Sequence, residues 1–369
     1  MIIIKLMKNI LLVANLFLFL FFLITGCDNQ TKKRLITYES ITNEVYKDVV
    51  CFVYHRFGDH RFPSTNISLS DFEAHLKYLK DNNFEVVTFS EALDYIKSGS
   101  ENKKVAVITI DDGYKSFFNN GLPLLKKYDF PATLFVNSES VGGKDYMTWG
   151  EINKANNEGV EIGNHTHTHE YFLNIDPEDR YTEFEKEITI SQQLFEVKLG
   201  HKPETFAYPF GEYDNEMKAI VKKLGFKGAA AQNSGVIYSD TDLMECPRFP
   251  MSESYADINS FISKANMKPL KIIGEKPSDQ IISKSIPQPV LELKIQGDAI
   301  KSDEIQCFIQ GAECEMSIQN DTIKNIIEVE LKASSSILLR RRTLYTLTAK
   351  NSNGDWCWFS HLWVNPSIN

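Results

Sequence analysis

Short apolar runs and amphipathic stretches alternate along the chain from residue 48 to about residue 265. The apolar runs have the length of strands, and the run at 104–110 (KVAVITI) is unbroken, as in the buried strands of parallel sheets. In the amphipathic stretches, apolar residues recur at helical spacing, as at Phe72, Leu76 and Leu79. Because strands that alternate with helices form parallel sheets covered by those helices, this pattern predicts an α/β fold.

The individual elements follow from the same pattern and from capping and turn signals. The predicted strands are 48–54, 84–88, 104–110, 132–136, 159–163, 204–208 and 226–231. The predicted helices start at a capping box (Ser70-Asp71-Phe72-Glu73) and at Ser90, and cover about 117–128, 149–158, 177–199 and 214–224. Several polar motifs directly follow the predicted strands, which is where a β/α barrel carries its chemistry.

The pattern changes near residue 270. Residues 271–289 contain three prolines and are predicted to be a linker. Runs with alternating apolar positions follow, at 290–296, 304–310, 322–331, 343–349 and 356–364. We therefore expect a barrel-like domain at 48–270 and a small all-β, sandwich-like domain at 290–369.

The first 26 residues have the composition of a secretory signal peptide. Two lysines precede an apolar run that ends at Ile24, and a short Thr-Gly step then leads to Cys27. This junction is similar to a bacterial lipobox, so we expect Cys27 to be lipidated and residues 27–47 to form a polar tether. An uncleaved N-terminal anchor is the alternative. In both cases the rest of the chain is exported and held at a membrane surface of the cell envelope.

Charge and cysteine content narrow the picture further. The net charge is −9 and the acidic residues are spread along the chain, which argues against a nucleic-acid-binding protein. Disulfides can form in an exported protein, and a disulfide between two of Cys307, Cys314 and Cys357 is one possibility that the sequence leaves open. The basic run Arg340-Arg341-Arg342 is predicted to be a solvated turn.

Two adjacent carboxylates, Asp111 and Asp112, directly follow the apolar strand 104–110. Asp-Asp-Gly is also an ordinary turn sequence, so a structural role is one interpretation. The other is catalytic, because the strand ends of a barrel present their side chains to the active site. Adjacent carboxylates can then divide the work, since a cation bound to one allows the other to stay ionised as a base.

Three of the eight histidines lie at every second position, at His165, His167 and His169. On a strand, all three would point to one face and could bind a metal together. On a helical turn, His165 and His169 would converge and His167 would point elsewhere. The preceding Gly163-Asn164 indicates that the strand has ended, which favours the pair. Two histidines and one aspartate would suit a catalytic zinc or a similar divalent ion with open positions.

Three motifs together resemble the polysaccharide deacetylase family, also known by its NodB-like or carbohydrate esterase family 4 domain. They are TIDDGY at 109–114, EIGNHTHTH at 161–169 and FAYPFGEYD at 206–214, and the resemblance covers about 48–265. It implies a distorted, incomplete (β/α) barrel. It also implies a hydrolase that removes N-acetyl groups from chitin-like oligomers, peptidoglycan or poly-N-acetylglucosamine. The motif pattern is closest to the exported poly-N-acetylglucosamine deacetylases.

The resemblance assigns roles by position. Asp111 matches the catalytic base, which takes a proton from the attacking water. Asp112, His165 and His169 match the ligands of a divalent ion, for which zinc is favoured over cobalt or nickel. His167 falls at a variable position outside the ligand set, so we expect it to be dispensable for the metal.

Two family positions are occupied differently in this chain. The usual Arg-x-Pro motif has Ala207 in place of its arginine, and Arg248 is our candidate for the missing guanidinium beside the base. The usual late histidine of the family is missing from this sequence, and His55 is the candidate general acid, with a structural role for it equally open. The backbone N–H of Phe210 matches the oxyanion donor of the family.

The leading hypothesis is a metal-dependent de-N-acetylase that acts on an extracytoplasmic polysaccharide containing N-acetylglucosamine and releases acetate. Tyr114, Trp149 and Tyr208 are candidate sugar-binding residues, and each could equally pack in the core. The alternatives are an O-acetyl esterase or other amide hydrolase of the same fold, and an inactive glycan-binding lipoprotein. Two adjacent carboxylates favour an enzyme, because a pure binding protein gains little from burying them.

Overall fold

The structure, a computed structural model, describes residues 47–98, 103–297 and 300–368. The predicted signal peptide, Cys27 and the tether up to residue 46 lie outside the described residues. The helices of the described part of the chain are all too short or too polar to span a lipid bilayer.

The region predicted to form a barrel consists of short strands that alternate with helices. The strands are β1 (Asp48–Tyr54), β2 (Arg56–Phe57), β3 (Asn66–Ile67), β4 (Glu85–Val87), β5 (Val105–Ile110), β6 (Ala132–Val136), β7 (Val160–Asn164), β8 (Thr205–Ala207), β9 (Gly228–Ala230), β10 (Val236–Tyr238) and β11 (Phe249–Pro250). The α-helices are α1 (Leu69–Asp81), α2 (Phe89–Ser98), α3 (Leu122–Tyr128), α4 (Trp149–Asn157), α5 (Pro177–Leu199), α6 (Asn215–Lys223) and α7 (Ile258–Ala265). A π-helical turn (Phe117–Gly121) precedes α3, and short 3-10 turns occur at Phe172–Asn174 and Pro209–Gly211.

The larger sheet curls into a half-barrel. Its strand order is β10–β1–β5–β6–β7–β8–β9, with β4 beside β5 and β11 beside β1. Neighbouring strands run parallel, apart from the antiparallel pair of β1 and β10. This is the distorted, incomplete (β/α) barrel that the family resemblance implies. Because the strands are parallel, their carboxyl ends meet along one edge of the sheet.

Strand β5 explains the unbroken apolar run, because it packs into two separate hydrophobic clusters. Val105 and Val107 contact the cluster that contains α2. Ala106, Ile108 and Ile110 point to the other face, into the cluster that contains α1 and α3. All six residues of the strand are buried. The strand therefore has no solvent-facing side until it ends at the two aspartates.

Helix α2 starts earlier than its predicted cap at Ser90. The hydroxyl of Thr88 accepts a hydrogen bond from the N–H of Glu91, and the Glu91 carboxylate accepts one from the N–H of Thr88. Tertiary contacts decide between the two caps, since Phe89 is buried and its N–H donates to the Thr133 hydroxyl on β6. Helix α1 also starts one residue before its predicted cap.

The C-terminal part of the chain forms two four-stranded sheets, as predicted for a small all-β domain. Its strands are β12 (Lys268–Pro269), β13 (Ile272–Lys276), β14 (Val290–Gln296), β15 (Gln306–Ile309), β16 (Cys314–Asp321), β17 (Ile326–Ala333), β18 (Arg342–Lys350) and β19 (Trp356–Val364). One sheet has the order β12–β19–β18–β15 and the other β13–β14–β17–β16. Leu293 and Val329 of one sheet share a core with Leu347 of the other, so the two sheets form a sandwich.

The segment 271–289, predicted as a linker, is not irregular throughout. Strand β13 occupies its start and pairs antiparallel with β14. The prolines that suggested a linker begin only at Pro277, after this strand has ended. Among the cysteines, the structure joins Cys307 to Cys314 in a disulfide and leaves Cys357 as a buried thiol.

Candidate active site

A cleft of about 810 Å³ lies where the carboxyl ends of the central strands face the sandwich. His55 follows β1, Asp112 follows β5, and His165 and His169 follow β7. Phe210 comes after β8 and also lines the cleft. The sandwich contributes Gln310, Arg340, Arg341, Arg342, Leu344 and Leu362 to the same cleft. Both parts of the chain therefore build one site.

Asp111, the first acid after β5, is fully buried and paired with Arg248. Nη1 of Arg248 lies 2.8 Å from Oδ1 of Asp111, and Nη2 lies 2.9 Å from Oδ2, so the two planar groups meet in a bidentate contact. Burial by itself would raise the pKa of Asp111, but the Arg248 guanidinium holds the pKa of this carboxyl below its ordinary value. Asp111 is therefore kept ionised and in one orientation.

Arg248 is itself held by the strands around it. Its side chain is fully buried, Nε donates to the carbonyl oxygen of Ala231 at 2.8 Å, and Nη1 donates to the Thr109 hydroxyl at 3.0 Å. Arg248 immediately precedes β11, and β11 pairs with β1. The structure thus brings together the arginine and the aspartate that the sequence analysis expected to meet, across a separation of 137 residues.

Asp112, His165 and His169 converge on one point. Oδ1 of Asp112 lies 3.5 Å from Nε2 of His165 and 3.4 Å from Nε2 of His169, and the two ring nitrogens are 3.1 Å apart. Nδ1 of His165 donates to the carbonyl oxygen of Ala207 at 2.7 Å, which fixes the ring so that Nε2 faces the other two ligand atoms.

This donor set fits a divalent cation. Burial lowers the pKa of His169 to about 4, so its imidazole is neutral at neutral pH. Two ring nitrogens at 3.1 Å that both face a carboxylate oxygen would repel each other unless a cation or a proton lay between them. The three ligand atoms lie within 4.8 Å of one another. Two histidines and one carboxylate are a ligand set of catalytic zinc sites that keep open positions.

The backbone at the site is in an unusual conformation. Asp112, Thr166, His169 and Phe210 all have left-handed φ angles, of 73°, 66°, 61° and 59°. A non-glycine residue in this region of φ/ψ space costs of order 1–3 kcal/mol, and such residues concentrate where function requires them. Four left-handed residues close together in this part of the fold therefore mark it as a candidate functional site, where the directions of side chains and amides matter.

The three histidines separate as the pairing hypothesis predicts, but on a bend instead of a helical turn. The chain reverses because the N–H of Thr166 donates to Oδ1 of Asn164 and its hydroxyl accepts from the N–H of His169. His167 points away, with Nδ1 2.8 Å from the Ser138 hydroxyl. In the part of the chain that the structure describes, the group of side chains able to hold a metal does not include His167.

Phe210 forms an aromatic platform beside the histidines, and its neighbours were missed by the sequence analysis. Its ring stacks on Tyr171 with centroids 3.6 Å apart, and it meets His169 edge-on at 4.4 Å. Its carbonyl oxygen accepts a hydrogen bond of 2.8 Å from Nη1 of Arg342. The next residue must be glycine, because a Cβ at Gly211 would lie 2.3 Å from a Gln232 side-chain atom.

Arg341 anchors this platform from the sandwich. Its guanidinium makes a bidentate contact with Glu212, at 2.8 and 2.6 Å, and lies 3.9 Å from the centroid of the Tyr171 ring. Both charged side chains of the pair are less than one tenth exposed. The prediction of a solvated turn at Arg340-Arg341-Arg342 was therefore wrong for Arg341. No local pattern could have found this pair, because its partners are 129 residues apart.

The three candidate sugar-binding residues lie in different environments, and one of them lines the cleft. Tyr208 is fully buried and its hydroxyl donates to the carbonyl oxygen of Met244, so it offers no surface to a sugar and that expectation is corrected. Trp149 packs edge-on against Phe195 and is not among the residues that line the cleft. Tyr114 lines the cleft, with the guanidinium of Arg56 3.5 Å from its ring centroid.

His55 lies in the cleft, one residue beyond the end of β1. Its imidazole is close enough to interact electrostatically with both Asp111 and Asp112. The preceding Tyr54 is instead buried, with its hydroxyl 3.1 Å from Nδ1 of His75. The strand thus turns one aromatic side chain into the core and presents the adjacent histidine to the site.

A comparison with known families agrees with this geometry. Residues 98–229 match the polysaccharide deacetylase family. The chain contains a polysaccharide deacetylase domain. The expectations of an α/β deacetylase fold and of a hydrolase from this family are therefore confirmed. The matched segment contains both aspartates, the two converging histidines and Phe210.

Several known proteins are similar to this deacetylase domain. The Bacillus subtilis protein YxkH is 28% identical over 213 residues, which are 56% of this chain and 74% of that protein. The poly-beta-1,6-N-acetyl-D-glucosamine N-deacetylase of Staphylococcus aureus is 26% identical over 212 residues, or 55% of this chain and 73% of its own. The solved structure of the Streptococcus pyogenes deacetylase PplD superposes with a TM-score of 0.52 at 22% identity, covering 56% of this chain and 94% of that one. PplD therefore shares the fold.

Proposed function

We propose that this protein is a metal-dependent de-N-acetylase that hydrolyses N-acetyl groups of an extracytoplasmic polysaccharide containing N-acetylglucosamine. The observation that carries the proposal is the pairing of Asp111 with Arg248 directly beside the group of Asp112, His165 and His169. A buried, ionised base next to a cation site is what hydrolysis of an amide requires. The name of the Staphylococcus aureus relative supports a poly-N-acetylglucosamine-type substrate.

In this proposal Asp112, His165 and His169 hold a divalent ion, most simply zinc, with cobalt or nickel as alternatives. When bound there, such an ion lowers the pKa of water and polarises a carbonyl group. Asp111 accepts the proton of the attacking water. Arg248 acts as a positioning residue, because its two N–H groups keep both oxygens of Asp111 in place and unprotonated.

The remaining roles concern charge that develops during the reaction. The backbone N–H of Phe210 donates to the oxyanion that forms from the acetyl oxygen, and the left-handed turn at this residue orients the amide. His55 protonates the amine as acetate leaves, which its position in the same cleft supports. Tyr114 contacts the sugar from the wall of the cleft.

We also propose that the mature protein is a lipoprotein exported to the cell envelope, with Cys27 lipidated and residues 27–47 acting as a tether. In this arrangement the domain at 48–270 carries the chemistry and the domain at 290–369 completes the cleft. The support is the lipobox-like sequence before Cys27. Metabolic labelling with palmitate should mark the protein, and the label should disappear in Cys27→Ala. Equal labelling of both forms would contradict lipidation at Cys27.

Acetate release tests the activity. We expect the protein, loaded in turn with zinc, cobalt or nickel, to release acetate from poly-N-acetylglucosamine, peptidoglycan or chitin oligomers. Asp111→Asn should lower kcat by roughly 10³-fold, as loss of a general base does, while metal content measured by mass spectrometry stays unchanged.

Three outcomes would count against this proposal. Absence of acetate release from the intact protein on every glycan and with every metal would exclude the enzyme and favour a glycan-binding protein. Release from O-acetylated glycans alone would indicate an esterase. Full activity of Asp111→Asn would remove Asp111 from the chemistry.

A further inference from the structure

Arginines from the sandwich form a cationic wall of the active-site cleft. Arg340 and Arg342 line the same cleft as the group of Asp112, His165 and His169. We propose that Arg340 and Arg342 form a subsite for an anionic group, a carboxylate or a phosphate, on the polysaccharide whose N-acetyl group is hydrolysed. This inference rests on the proposed function and specifies the class of substrate.

Arg342 is held in the cleft with hydrogen-bonding capacity to spare. Its Nη1 donates to the carbonyl oxygen of Phe210 at 2.8 Å, which fixes the guanidinium next to the aromatic platform that Phe210 forms. The nearest carboxylate, Glu212, is 3.8 Å from Nε of Arg342 and already gives both of its oxygens to Arg341. The side chain of Arg342 remains two-fifths exposed. A guanidinium placed in this way can accept a further oxyanion in a bidentate contact.

Arg340 provides the second cation. Within the described residues its side chain makes no ion pair, and it is exposed at the cleft. Its aliphatic stem lies along the turn at Gly311, where an added Cβ would come within 3.1 Å of Cδ of Arg340. The glycine has a φ of 82° and no Cβ, so the turn leaves room for this stem at the cleft.

The charge balance of the cleft supports an anionic ligand. Three arginines line it, and Arg341 is already paired with Glu212, which leaves Arg340 and Arg342 to face the cleft. The carboxylate among its described lining residues is Asp112, which faces the two histidines. The chain as a whole has the opposite charge, at −9. A positive cleft on an acidic protein concentrates anionic ligands near the site and repels cationic ones. The amine produced by de-N-acetylation is cationic, so the same wall would favour release of the product.

The proposed subsite can be tested with oligosaccharides that share one backbone and differ only in their charge. We would compare chitin oligomers, whose β-1,4 linkage leaves C6 free, in the neutral form, oxidised to carboxylates at C6, or phosphorylated at O6, and measure their dissociation constants by calorimetry at low and high salt. We expect at least about tenfold tighter binding of the carboxylated or the phosphorylated oligomer than of the neutral one, decreasing with salt. The tighter of the two charged oligomers identifies the source of the anion.

The variants Arg340→Gln and Arg342→Gln should each reduce the ratio of charged to neutral affinity, and Arg342→Lys should retain part of it. Lys332→Gln, which removes one charge from β17 away from the cleft, should leave the ratio unchanged. The ratio cancels any general effect of Arg342 on Phe210. Equal affinities for all three oligomers, or a preference that survives both glutamine variants, would overturn the subsite. All binding is measured in the Asp111→Asn background, in which turnover is expected to be roughly 10³-fold slower, so a failure of acetate release by the intact protein would count against the proposed activity alone.

Discussion

Replacing His165 or His169 with alanine is expected to abolish binding of the divalent ion and to lower kcat/KM for acetate release by at least about 10³-fold. Each variant leaves two ligand atoms where three now lie within 4.8 Å, and two ligands do not hold a catalytic ion at a site that must keep open positions. The activity should fall with the ion, because polarisation of the carbonyl and activation of water are together worth several kcal/mol. Metal content by mass spectrometry and initial rates of acetate release measure the two effects separately.

The chain offers a matched control in His167. His167→Ala removes an imidazole from the same bend, but this ring contacts Ser138 and not the other ligand atoms. We expect this variant to keep the ion in full and most of the activity. Loss of the ion in His167→Ala, or its retention in His165→Ala, would show that the converging pair is not the metal site.

The second large effect is expected at Arg248. Arg248→Met should reduce kcat by about 10²- to 10⁴-fold, the range in which a positioned general base contributes. It should also lower the free energy of unfolding by about 3–5 kcal/mol, because Asp111 would remain buried without its partner. Both partners have at most one per cent of their side-chain surface exposed, so solvent cannot replace the contact. Rates of acetate release and urea denaturation measure the two quantities.

The pH profile distinguishes positioning from a merely structural role. The Arg248 guanidinium opposes the effect of burial and keeps the pKa of Asp111 low. Without it the pKa of Asp111 should rise, so the base would be protonated at higher pH and the acidic limb of the kcat/KM profile should move toward neutral pH. Arg248→Lys keeps the charge but not the bidentate contact, and should restore part of the activity.

Arg61 provides the control for the loss of an arginine. It pairs with Asp59 and Asp145 at an exposed position, so Arg61→Met should leave both the rate and the stability nearly unchanged. If Arg248→Met had an unchanged acidic limb and lost only stability, Arg248 would be a structural residue. The base would then have to be held ionised by other means.

The sandwich builds one wall of the active-site cleft, and is not only an appended domain. Arg341 locks Glu212 and Tyr171 from one side, and Arg342 holds the carbonyl oxygen of Phe210. These contacts set the turn whose amide is proposed to bind the oxyanion. The geometry of the barrel loop therefore depends on side chains from β18 and from the residues just before it.

The pattern of apolar and polar residues predicted most of the strands and helices and part of the candidate active site. The unbroken run of β5 and the alternation of strands with helices predicted a parallel sheet covered by helices, because a strand that is buried on both faces is apolar at every position. The break at Gly163-Asn164 favoured convergence of His165 and His169 over a strand with three ligands, although the structure reaches it through a bend instead of the predicted helical turn. The start of α2 was misplaced, because two polar residues could cap it and only the packing of Phe89 distinguishes them.

The sequence by itself determined the order of elements, the paired aspartates at a strand end and the spacing of the three histidines. The family resemblance made Arg248 a candidate partner of the base, but only the tertiary structure decided that it meets Asp111 and that Arg341 meets Glu212. Arg248 reaches Asp111 across 137 residues and Arg341 reaches Glu212 across 129, through strand pairing in one case and sheet packing in the other. The periodicity and spacing of residues reflect interactions between positions that are close in the sequence. Contacts between distant segments depend on how whole elements pack, and no short stretch of sequence contains that information.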